Sequence, residues 1–182
     1  MGRINLTRMP RARASRAAKS AAAKERLRER YLPELVRILF VGESPPASGR
    51  FFYQADSGLY RAIREVFLLA FRDLREERFL ESFQSLGCYL VDLCGRPVDR
   101  LSARSRRRVC AAGEIRLARK IRRLDPEMIV VVVRSIGDNV RRAAKNAGWT
   151  GLQIVLPYPG RWHRYRQEFR RKLVPVLRSI HS

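Results

Sequence analysis

Three isolated polar side chains and one aromatic run could do chemistry. Glu43 stands in Gly42-Glu43-Ser44-Pro45-Pro46, a loop of chain breakers directly after the apolar run Arg37–Val41. A carboxylate at such a strand end can activate a water or steady a developing cation; it can equally be a helix-cap or loop acid with no catalytic task. Asp92 lies near the end of another apolar run, Cys88–Leu93. A carboxylate beside a buried ladder is costly unless paired, so Asp92 either reads the edge of a ligand or pairs with one of the chain's many arginines. His163, one of only 2 histidines, follows the loop Pro157–Gly160. It could donate to a developing negative charge or touch a phosphate, or be a plain surface histidine. Phe51, Phe52 and Tyr53 are consecutive, and three in a row are not expected to share one core. At least one is expected to be free to stack on a base, with two inside.

The elements that must position these groups follow from periodicity. Arg37–Val41, Cys88–Leu93, Met128–Val133 and Leu152–Leu156 read as short strands buried on both faces. Leu59, Ile63, Val66, Phe67 and Ala70 recur every three or four residues, an amphipathic helix that Asp56 or Ser57 can cap. Further helices are expected over Leu101–Arg123 with Ser102 as cap, over Asp138–Ala147 closed by Gly148, and over Trp162–Ile180. Residues 17–35 are rich in helix formers, with Pro33 ending or bending the helix. Residues 1–18 read as a flexible basic tail, which leaves a single domain over 19–182.

Strand, loop and helix thus alternate four times. Crossovers of this length give an α/β fold, a three-layer α/β/α sandwich around a central, mainly parallel four-stranded sheet. Ligands bind beyond the carboxyl ends of such strands. The loops after Val41, Leu93, Val133 and Leu156 should share one rim, bringing Glu43, Asp92 and the Pro157–His163 segment together.

Composition names the partner class. The 182 residues carry 39 Lys and Arg against 17 Asp and Glu, a net charge of +22. A field this positive draws polyanions, nucleic acid first and an anionic membrane surface second. Cys88, Cys94 and Cys110 are too few and too widely spaced for a disulfide framework or a zinc site, so no metal is expected. No apolar run approaches the roughly 18 residues of a membrane span. A reduced, cytoplasmic and nucleoid-associated location is expected, although the Arg-rich start also reads as an import signal. The chain has no Walker A motif, dinucleotide fingerprint or G-x-S-x-G elbow.

The ordered motifs resemble the uracil-DNA glycosylase superfamily. Gly42-Glu43-Ser44-Pro45-Pro46, then Gly49-Arg50-Phe51-Phe52 and a helix, is similar to its first motif. In the iron–sulfur, thermophile-type branch that motif reads G-E-x-P-G followed by G-R-P-F. Tyr89-Leu90-Val91-Asp92 and Arg96-Pro97 resemble that branch's Y-I-T-N strand and C-R-P turn, and Cys110 falls where it has another cysteine. Pro157-Tyr158-Pro159-Gly160 stands where the superfamily has H-P-S or H-P-A. The likeness covers roughly residues 37 to 175.

The resemblance implies a monofunctional DNA glycosylase of base-excision repair, acting as a monomer without a cofactor and flipping a damaged or deaminated base out of DNA. It assigns Glu43, Asp92 and His163 to catalysis, and Gly42, Phe52, Asp92 and Tyr158 to the base. Phe52 stacks on the base, Asp92 reads its edge, and Glu43 helps water reach the sugar C1′. Ser44, Pro45, Arg50, Arg161, Trp162 and Arg164 are assigned to DNA, with Trp162 or Arg161 as the wedge that fills the vacated stack. Three departures stand out. Asp92 replaces the usual Asn, and an ionised carboxylate only accepts hydrogen bonds, which favours a base with adjacent donors over uracil unless Asp92 is protonated. Tyr158 replaces the last-motif histidine, or His163 has taken over its task. The N-terminal cysteine pair is missing, so no cluster is expected. Two rival readings remain open: the same fold kept as a catalytically inactive nucleic-acid-binding module, and a ribosome-associated basic protein.

Overall fold

The computed structural model describes residues 11–160 and 162–179, with side chains from residue 20 onward. Four strands form one sheet: β1 (Ile38–Gly42), β2 (Cys88–Asp92), β3 (Met128–Val131) and β4 (Leu152–Val155). Their order is β2-β1-β3-β4 and every pairing is parallel, with Phe40 opposite Leu90 on one side and Val130 on the other. β1 is buried along its whole length, as its uninterrupted apolar sequence requires. The helices are α1 (Arg11–Glu29), α2 (Gly58–Ala70), α3 (Phe79–Ser85), α4 (Ala103–Leu124), α5 (Gly137–Ala147) and α6 (His163–Ser179). They flank the sheet, with α2 packed on α6 and α4 on α5, which makes the three-layer α/β/α sandwich.

Local chemistry sets the helix ends. The Ser57 hydroxyl accepts from the Tyr60 N–H and the Ser102 hydroxyl from the Ser105 N–H, so each satisfies a donor that its helix leaves open. Gly148, at φ 74°, closes α5 in the left-handed conformation that glycine adopts without strain.

The N-terminal region differs from expectation. α1 already runs from Arg11, inside the stretch expected to be a flexible tail, and it stops at Glu29, ahead of Pro33. Residues 1–10 of that stretch lie outside the described residues. α3 was not expected at all, because its seven residues are too short for a helical period to stand out. Its Phe79 and Phe83 join Phe40, Phe52, Tyr60 and Phe67 in an aromatic cluster with ring centroids 5.2–6.4 Å apart, which anchors α2 and α3 to the sheet. No helix among the described residues is long and apolar enough to cross a membrane.

Candidate active site

From β1 the chain moves outward to β2 and then crosses back to β3 on the other side. Loops leaving β1 and β3 therefore diverge, and a crevice opens at the strand ends. A cavity of about 550 Å³ lies there. All four strand ends contribute: Gly42 and Glu43 from β1, Asp92 from β2, Val133 from beyond β3 and Tyr158 from the loop after β4. Of the other residues expected at the site, Ser44, Pro45, Arg50 and Phe52 also line it, and Ser57, Arg61, Asp99 and Arg106 line it unforeseen.

Asp92 is nearly closed to water. Arg28 of α1 donates from Nη2 to Asp92 Oδ2 at 2.7 Å, and each side chain is only 9% exposed. Burial pushes the Asp92 carboxyl above the usual carboxylate range, and the guanidinium opposes part of that shift. The second oxygen, Oδ1, lies over Gly42, where a Cβ would stand 2.9 Å from it. Gly42 is thus the residue that lets the carboxylate sit at the cavity floor. Arg28 also pairs with Glu25, which accepts from Lys120 Nζ at 2.8 Å. Burial works against the Glu25 charge, but Lys120 and Arg28 together outweigh it and hold the carboxyl below its ordinary range.

Glu43 is clamped as well. Arg106 donates from Nε to Oε1 at 2.6 Å and from Nη2 to Oε2, a bidentate pair. The Cys110 thiol lies 3.8 Å from Oε1, and the Glu43 carbonyl accepts from the Cys94 N–H at 2.8 Å. Arg106 and Cys110 are four residues apart on α4 and so share one face, a spacing that the sequence shows. The role of Arg106 as the partner of Glu43 is not legible in the sequence, where it is one of several arginines in the run 104–108. No sequence signal singles out Arg28.

The aromatic run is also corrected. Phe51, Phe52 and Tyr53 are all buried, because a 3-10 helix over Phe52–Gln54 turns each ring toward a different neighbour. Phe51 lies under Lys24 and Arg28, at 5.6 and 5.3 Å. Phe52 packs edge-on against Tyr60 and Phe79 while lining the cavity. Tyr53 reaches the open edge of β2, where its hydroxyl accepts from the Leu90 N–H at 2.7 Å and donates to the Leu90 carbonyl at 3.1 Å.

The last motif divides. Tyr158 is 46% exposed and turns to the cavity; burial raises its phenol above the ordinary value, so it stays a neutral donor at neutral pH. His163 opens α6 and is exposed, and it is not among the residues that line the cavity. Trp162 is 62% exposed beside Arg164, whose guanidinium stacks 6.0 Å from Trp162 and 4.8 Å from Tyr165. Arg161 lies outside the described residues.

An iron–sulfur cluster needs four ligands, usually thiolates. Cys94 and Cys110 lie with Sγ atoms 3.6 Å apart, but Cys88 begins β2 at the opposite end of that strand, so the chain does not fit such a cluster. No group of three or more His, Cys, Asp or Glu among the described residues could hold a metal ion.

A search of curated proteins gives no match. The family model described as Uracil DNA glycosylase superfamily matches residues 29–180, a stretch that holds all four strands, the cavity loops and α2 to α6 up to Ser179. With a parallel sheet in that segment and a cavity at its strand ends, the chain belongs to the uracil DNA glycosylase superfamily.

Proposed function

We propose that the protein is a DNA glycosylase that takes a flipped base into the cavity at the strand ends and hydrolyses its N-glycosidic bond. The observation that carries this reading is the placement of Glu43 and Asp92 on one cavity wall, in the superfamily's segment. The glycosidic electron pair leaves with the base, and the sugar gains oxocarbenium character. Glu43, bonded twice to the Arg106 guanidinium, faces that positive charge. Both of its oxygens are engaged by Arg106, so its electrostatic role comes first and its help in taking a proton from the incoming water second. The water oxygen bonds to C1′, and the departing base ends protonated. Tyr158 donates a hydrogen bond to the leaving base, and Phe52 presents the aromatic wall.

Asp92 reads the base edge through Oδ1. Paired with Arg28 it is an acceptor, and it selects a base that offers N–H groups over the O4 of uracil. Asp92→Asn restores a donor and moves the preference toward uracil. The test is an excision screen with labelled single- and double-stranded oligonucleotides carrying uracil, hypoxanthine, xanthine or an alkylated base, with abasic sites revealed by alkali. Cleavage at one lesion supports the reading, and cleavage at none overturns it.

One observation favours a second reading. Glu43 and Asp92 are both engaged by arginines, as in a site whose chemistry has been lost while its fold still binds nucleic acid. That module predicts binding that weakens steeply with salt, and no abasic product.

A further inference from the structure

A second cavity, of about 540 Å³, lies between α1 and α4. It shares Pro45, Pro46, Phe51 and Asp92 with the first and stands behind them. Its charges come in equal numbers from two helices: Lys24 and Arg28 from α1, Arg116 and Lys120 from α4. Two carboxylates, Glu25 and Asp92, face these four cations. They are consumed by Arg28 and Lys120, through Arg28–Asp92, Arg28–Glu25 and Lys120–Glu25. Among the described residues, Lys24 and Arg116 have no carboxylate partner within ion-pair distance. Lys24 Nζ donates to the Gly49 carbonyl at 2.6 Å and Arg116 Nη2 to the Leu93 carbonyl at 3.0 Å. Two positive charges are therefore left uncompensated in one concave site, and concave walls of low dielectric concentrate their field.

We propose that this cavity is a phosphate-binding site, with Lys24 and Arg116 as its two free charges and the Arg28–Glu25–Lys120 lattice as its rigid back. A phosphate monoester carries close to the two negative charges needed to neutralise it, and two successive phosphodiesters of a strand carry one each. α1, which supplies Lys24 and Arg28, lies upstream of the family's matched segment except for Glu29, whereas Arg116 and Lys120 lie within it. The phosphate comes either from a DNA strand whose base occupies the neighbouring cavity or from a free phosphate compound.

The experiment is a calorimetric titration of the full chain with inorganic pyrophosphate in about 0.15 M salt, where charges more than about 8 Å apart are largely screened. Saturable binding is expected in the wild type, falling at least tenfold in Lys24→Ala/Arg116→Ala. That pair leaves every ion pair of the lattice intact, and a thermal melt confirms the fold. Arg166→Ala/Arg171→Ala on α6 removes the same net charge elsewhere and should change affinity less than twofold. No saturable binding by the wild type overturns the proposal. So does equal loss in the two double variants, which would mean general attraction to a basic chain, and so does undiminished binding in Lys24→Ala/Arg116→Ala. A short single-stranded oligonucleotide then assigns the source: displacement of pyrophosphate makes the site a strand-phosphate subsite, and simultaneous binding makes it a site for a free phosphate compound. Both results uphold the site, and neither depends on base excision.

Discussion

Arg28 and Asp92 are joined by a 2.7 Å ion pair across 64 residues of chain, and both side chains are almost closed to water. The pair ties α1, upstream of the superfamily segment, to the carboxylate at the end of β2. Removing one member of such a pair leaves a charge buried without a partner, at a cost of about 3–5 kcal/mol. Arg28→Gln should therefore lower stability at pH 7 by that order. Burial already raises the Asp92 carboxyl, and losing the guanidinium raises it further. A raised folded-state value means that the folded protein takes up its proton first, so acidification relieves the strain. The deficit of Arg28→Gln should shrink as the pH falls from 7 toward about 5. Denaturant titrations at both pH values check this; an equal deficit at both would mean that Asp92 is not the group affected.

Glu25 should behave with the opposite sign. Its folded-state carboxyl lies below the ordinary range, so it contributes stability above that range that is lost as the pH falls through its depressed value. Glu25→Gln should flatten the loss of stability between about pH 5 and pH 3. The effect is modest, because the Glu25 side chain is 42% exposed and solvent screens it.

How far these relationships could be read from sequence depends on their range along the chain. The strands, the caps at Ser57, Ser102 and Gly148, and the shared rim follow from local periodicity and the rule for parallel crossovers. Glu43, Asp92 and Tyr158 are legible for the same reason, since each sits at a strand end or in the loop beyond it. His163 is not, because its placement depends on where α6 begins and which way it leaves the loop. Phe51 to Tyr53 pack inside only because a 3-10 turn and α1 cover them, and neither leaves a period to read. That Asp92 pairs with an arginine was one of two readings; that the arginine is Arg28 needs the packing of α1.

Tyr53 gives a separate test of the edge of β2. Its hydroxyl closes both open groups of Leu90, one as acceptor and one as donor. Tyr53→Phe keeps the ring and leaves a buried N–H and C=O unsatisfied, which should cost about 1–3 kcal/mol. Hydrogen exchange should speed up at the Leu90 amide while the amides of β3 stay protected. Unchanged Leu90 exchange would contradict the assignment.

The three cysteines should be inert in the native protein. All are buried, and burial pushes the Cys94 thiol up to about 12 and also raises Cys88 and Cys110. The thiolate is the reactive form, so almost none is present at neutral pH. A thiol-reactive dye should label the folded protein slowly and all three sites promptly in guanidinium chloride. Rapid labelling of Cys94 or Cys110 in the folded state would show that their pocket opens.

The measurement that bears most directly on a working glycosylase is single-turnover excision by Glu43→Gln on the lesion that the wild type cleaves, with oligonucleotide affinity measured alongside. If Glu43 steadies the sugar cation, excision falls by about a hundredfold or more while affinity stays within about threefold. Excision at the wild-type rate in Glu43→Gln would contradict the account.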